Sequence, residues 1–140
     1  MSVKARLTAR DLKTAVFLCP LTFLLLLGGC SPSSPQPQET KGYRLELSIS
    51  PYPPQAEKKA RFTLRVSSGG KPASLESPRL VLSMPGHGHP PGEVPLSPAG
   101  EGLYRAEEVI LGMAGRWEAR LEARDRKGER VEALFPFIAR

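Results

Sequence analysis

Asparagine is absent, and two cysteines, two histidines and three methionines are all the soft or imidazole ligands that the 140 residues contain. Cys19 and Cys30 both precede the first patterned segment, so residues 43–140 can form no internal disulfide and present no thiol nucleophile. No phosphate-cradling glycine loop and no nucleophile-elbow pattern occurs. The two histidines share one loop, with Glu93 as the nearest acid, which gives a Ser-His-Asp arrangement nothing to build on. Glu107 and Glu108 are adjacent in a strand pattern, so they are expected to face opposite sides, the wrong geometry for a shared acid–base pair. The chain is therefore read as a non-enzyme. The missing asparagine, with 15 prolines and an arginine bias, is a residue usage common in thermophilic or GC-rich sources.

The one long apolar run, Ala15–Leu27, follows a basic start carrying Lys4, Arg6, Arg10 and Lys13 against Asp11 alone. A basic start, a run of this length and small residues behind it make a secretory signal, short for a transmembrane span. The run ends in Leu27-Gly28-Gly29-Cys30, which resembles the lipobox of bacterial lipoproteins, where the signal is cut before a cysteine that is then acylated. The alternative is an uncleaved signal anchor. The Ser/Pro/Gln tract that follows cannot bury a core and suits an extended tether. Three segments result: a signal peptide over 1–29, lipidated Cys30 with a tether over 30–42, and one domain over 43–140. The expected location is extracytoplasmic, anchored to a bacterial membrane. Of the 20 basic and 14 acidic residues, removal of 1–29 takes four and one, leaving 16 against 13, or +3. So mild a charge argues against a nucleic-acid partner.

The remaining residues read as β-structure. Tyr43–Ser50 alternates apolar and polar residues, and 61–66, 79–84 and 130–138 repeat that period of two. Segment 93–96 is short and contains Pro95, which suits an edge, and 103–111 is less regular. Segment 116–123 places Trp117, Ala119, Leu121 and Ala123 on one side, with Trp117 as the expected central core aromatic. A helix over 118–130 is the alternative that composition allows there. Tyr104 is expected in the core or at a corner. Turn signals at 67–72, 97–102 and 125–128 separate the segments. About seven such strands predict an all-β, immunoglobulin-like antiparallel sandwich.

Counting strands also places the loops. If 79–84 runs upward, the loop Pro85–Gly92 lies at the top, 93–96 descends, 97–102 turns at the bottom and 103–111 climbs back. The connection 112–115 is then at the top as well, which brings Met113 to the same end as His87 and His89. Residues two apart in extended backbone point to one side with Cβ atoms roughly 6–7 Å apart, so the imidazoles of His87-Gly88-His89 can converge on one ion. Imidazole suits zinc and copper, and thioether sulfur selects Cu(I), for which Met84 and Met113 are available. Each residue also has a plainer reading. The histidines can occupy a polar turn, Met84 can continue the core side of Leu80 and Leu82, and Met113 can plug the end of the sandwich.

Three stretches taken in order, "LVLSMPGHGH", "GEGLYRAEEVIL" and "GMAGRWEARLEA", resemble the YtkA-like domain, related to the periplasmic portion of FixH-type proteins. The similarity spans residues 43–138. It implies an immunoglobulin-like sandwich outside the cytoplasmic membrane with a part in copper handling or oxidase assembly. By motif, Met84, His87, His89 and Met113 are the positions that carry over. The turn here reads "GHGH" where a second methionine is common in the family. Two functions follow as expectations. One is a lipid-anchored module that binds or delivers copper to a membrane oxidase or a copper-handling protein. The other is a metal-free structural or interaction domain that docks on a membrane protein complex.

Overall fold

The structure is a computed structural model that describes residues 34–88 and 90–140. The expected signal peptide, the expected lipidation site Cys30 and the expected ligand His89 lie outside the described residues. Ten strands follow in order: β1 (Gln38–Thr40), β2 (Tyr43–Ser50), β3 (Lys59–Ser68), β4 (Lys71–Pro72), β5 (Glu76–Ser83), β6 (Gly92–Pro95), β7 (Ser97–Gly100), β8 (Leu103–Ile110), β9 (Gly115–Arg124) and β10 (Arg130–Ala139). One sheet has the order β1-β2-β3-β8-β7, with β4 paired to β3, and the other has the order β10-β9-β5-β6. Every pairing is antiparallel. The all-β sandwich expected from the alternation is the fold that forms.

The long strands coincide with the alternating segments because one face of each is apolar and has to be buried. Leu45, Leu47 and Ile49 of β2 meet Phe62, Leu64 and Val66 of β3 in the core. Leu80, Leu121, Val131 and Phe135 cover them from the other sheet. The rings of Phe62 and Phe137 pack edge to face with centroids 5.9 Å apart. No helix forms over 118–130. Ala119, Leu121 and Ala123 are buried at a period of two. The buried carboxylate of Asp125 accepts the amides of Lys127 and Glu129, turning the chain into β10.

Three short strands exceed the seven expected. β1 takes three residues from the segment expected to be tether and pairs with β2 along Leu45, Arg44 and Tyr43. β7 occupies the expected bottom turn: the chain leaves β6 in one sheet and enters β7 in the other, pivoting on buried Leu96, whose amide donates to the Pro78 carbonyl at 3.0 Å. β4 is a two-residue continuation of the hairpin from β3. None of the three alternates strongly, because each lies at an edge and buries little. Tyr104 is both core and corner. Its hydroxyl accepts the Leu75 amide at 2.7 Å and donates to the Leu75 carbonyl at 2.9 Å, which ties the approach to β5 onto β8.

The two sides of the sandwich differ. At the side where β1 and β10 flank each other, backbone bonds Ala56 N–H to Arg140 and Arg140 N–H to Pro54 close the top. On the opposite side, β7 covers only Leu103, Tyr104 and Arg105 of β8, and β6 is not hydrogen-bonded to β8. The sandwich is therefore open along the upper half of β8.

Candidate functional site

A cleft of about 670 Å³ opens between β6 and the uncovered part of β8 at the top of the sandwich. Its walls include Met84, Pro90, Val94, Ile110, Met113 and Trp117. Met84, Pro90 and Gly92 on one side and Gly112 and Met113 on the other line the same cavity, so the two methionines, 29 positions apart in sequence, share one end of the sandwich as the strand count expects, whereas His87 is not in its wall. Among the described residues, no group of three or more His, Cys, Asp and Glu side chains is placed to hold a metal ion.

Met84 leaves β5 on the side of Leu80 and Leu82, half-buried at the mouth of the core. Its methyl lies over Gly115, the first residue of β9, where an added Cβ would come within 2.8 Å of Met84 Cε. The glycine of "MAGRW" thus leaves the room that the Met84 side chain fills. Met84 thus lies at the end of the core side of β5 and lines the cleft.

Pro85 and Gly86 then reverse the chain. His87 N–H donates to the Met84 carbonyl at 3.2 Å, and Gly86 sits at φ +81°. Proline followed by a positive-φ glycine inside such a bond is the pattern of a type II turn, whose outer Cα atoms are within about 7 Å. The turn therefore brings the His87 backbone back beside Met84. The His87 side chain is exposed, and the residue is not part of the cleft wall.

Met113 projects from the connection between β8 and β9 and is 37% exposed. Its carbonyl accepts the indole N–H of Trp117 at 3.0 Å, which fixes the loop against the strand that follows. Trp117 is not the central core aromatic that its strand pattern suggests. It faces inward but sits two residues into β9, at the rim where the sandwich opens, and is only partly buried. An indole N–H needs an acceptor, and the rim supplies one while the all-carbon centre does not.

The lower lip of the cleft holds Glu107 and Glu108, and here the expected alternation fails. The pairing of β3 with β8 shifts between Ala60 and Phe62, so that Glu107 and Glu108 both stand opposite Arg61. Glu108 has φ +58°. This β-bulge leaves both carboxylates exposed instead of turning one inward. Arg61 Nε lies 2.6 Å from Glu107 and Lys59 Nζ 2.7 Å from Glu108, so each acid has a cross-strand cation. The bulge and its charges also blunt the free edge of β8. An irregular hydrophobic pattern over 103–111 was the only sequence sign of it.

The fold defines a small antiparallel β-sandwich domain. A family model described as YtkA-like matches residues 37–122, more than half of the chain. The chain belongs to the YtkA-like family. Among curated proteins, no relative matches the sequence. Solved structures share the fold, among them the following two. FetP from uropathogenic E. coli strain F11 superposes with a TM-score of 0.55 at 10% identity, over 75% of this chain and 93% of that one. The soluble domain of PmoD from Methylocystis sp. (Rockwell) gives 0.54 at 10% identity, over 76% and 98%.

Proposed function

We propose that this YtkA-like domain is a membrane-anchored extracytoplasmic module that binds copper at its open end and passes it on, without catalysing a reaction of its own. The observation that carries the reading is the meeting of Met84 and Met113 on one cleft, with His87 returned beside Met84 by the Pro85-Gly86 turn. Two thioethers with imidazole nearby form a donor set that suits Cu(I). Met84 and Met113 would hold the ion, with His87 and His89 supplied from the loop, and the open mouth would leave the ion exchangeable. The bound metal would supply no chemistry beyond its own transfer. The extracytoplasmic location is supported by the signal-like N-terminus and by a structural neighbour that was expressed in the periplasm. A membrane-bound setting accords with the other neighbour being the soluble domain of its protein.

The test is competition for Cu(I) against a chromogenic chelator, with Cu(II) and Zn(II) titrated separately, using residues 31–140 so that no free thiol contributes. One equivalent of Cu(I) should be retained by the parent and lost by Met84→Leu/Met113→Leu, with His87→Ala/His89→Ala weakening it. Equal and poor competition by all three chains would turn the reading down.

A second reading rests on a different observation. The upper edge of β8 is unpaired beside an apolar cleft, and such an edge accepts an added strand from a protein partner. Co-purification of a membrane partner that survives Met84→Leu/Met113→Leu would favour docking over metal.

A further inference from the structure

The direction of β1 bears on how the domain stands on its membrane. β1 pairs antiparallel with β2, Thr40 opposite Tyr43 and Gln38 opposite Leu45. β2 climbs from the end that carries the Lys41-Gly42 turn toward the end that carries the cleft. The chain before β1 therefore enters from the cleft end. Pro35 is buried, so the incoming segment is fastened to the domain almost from its first described residue, Ser34. Only four peptide units separate Ser34 from Cys30, a reach of at most about 14 Å.

The two ends also differ in surface. Large exposed apolar residues are Ile110 at 57%, Ile138 at 49%, Leu134 at 43% and Met113 at 37%. Ile110, Ile138 and Met113 lie at or beside the cleft end, while Leu134 lies midway along β10. Exposed Lys58, Arg116 and Arg140 accompany them against exposed Glu57 and Glu93, while Lys59 and Arg61 are neutralised by Glu108 and Glu107. The opposite end is a set of polar hairpin tips with Lys41 paired to Glu129, and with Glu101, Arg126 and Lys127 exposed. Exposed apolar side chains with a slight excess of cations beside them suit the interface of a bilayer, and charged tips without apolar side chains suit water.

From these placements we infer that the end bearing Met84, His87 and Met113 faces the bilayer that holds Cys30, resting on its headgroups. Reversing the domain would require four residues to run back past β1 against the direction in which the strand delivers them. The consequence for function is directional: whatever the cleft exchanges with is embedded in that membrane or lies flush with it. The inference rests on acylation of Cys30.

The experiment uses the full lipidated chain in mixed phosphatidylcholine–phosphatidylglycerol vesicles carrying an acceptor dye on the headgroups. Single Lys58→Cys and Lys127→Cys variants carry the donor dye at the two ends, with Cys30 blocked by its lipid. β9 has ten residues, which puts the ends roughly 30 Å apart at the rise of an extended strand. The donor at position 58 should be quenched several-fold more strongly than the donor at 127. Mass spectrometry of the N-terminal peptide reports whether Cys30 is acylated. An acylated chain with equal quenching, or with position 127 the nearer, overturns the orientation alone. An unacylated Cys30 removes the tether and overturns the anchor and the orientation together.

Discussion

Gly115→Ala probes the packing between the two methionine-bearing loops directly. The new methyl would meet Met84 Cε at 2.8 Å, and the residue would have to hold φ +136°. Methionine has three rotatable bonds and can swing aside, so the steric clash is relieved at small cost. The backbone has no such escape, and a non-glycine residue in so sparsely populated a region costs of order 1–3 kcal/mol. For a domain of about 100 residues, each kcal/mol lowers Tm by roughly 4–8 °C. Thermal unfolding should therefore show a loss of between about 4 and 24 °C. The displaced thioether should also weaken Cu(I) competition, although Gly115 bears no ligand. Adding Met84→Ala removes the atom that clashes and leaves the φ strain, so the two changes should combine additively to within about 0.5 kcal/mol in a cycle on stability. A Gly115→Ala chain as stable and as competent for Cu(I) as the parent would refute this account of why the glycine is there.

Tyr104→Phe should destabilise more than a typical buried hydroxyl deletion, by about 2–4 kcal/mol in urea unfolding, because it strands both the amide and the carbonyl of Leu75. Trp117→Phe should cost about 1 kcal/mol and free the 112–114 connection, read as faster amide exchange at Met113 and Ala114, since the indole bond to the Met113 carbonyl is lost. Arg61→Ala should shift stability by less than about 1 kcal/mol despite its 2.6 Å contact with Glu107, both side chains being half exposed. An Asp125→Ala chain should unfold with a loss of about 1–3 kcal/mol, because the carboxylate that organises the β9–β10 turn accepts two amides there.

The fold was written in the sequence wherever a strand buries one face. Tyr43–Ser50 was delimited residue for residue, since its alternation is complete and a slip by one residue would turn Leu45, Leu47 and Ile49 outward. The up-and-down count of strands placed Met113 at the end of the Met-Pro loop, because antiparallel connections leave no freedom in which end a loop occupies. Tertiary structure decided what depends on contact across the sheets. β1 and β7 exist only as additions to edges already formed, so their own residues carry no pattern. The bulge that turns Glu107 and Glu108 to one side is set by the register between β3 and β8. Trp117 shares the parity of Ala119 and Leu121, and parity fixes the face but not the height. Its place at the rim follows from where β7 stops covering β8, which opens the cleft, and from the carbonyl of Met113 that its indole reaches there. Local alternation determines which way a side chain points, and only the assembled sheets determine what it meets.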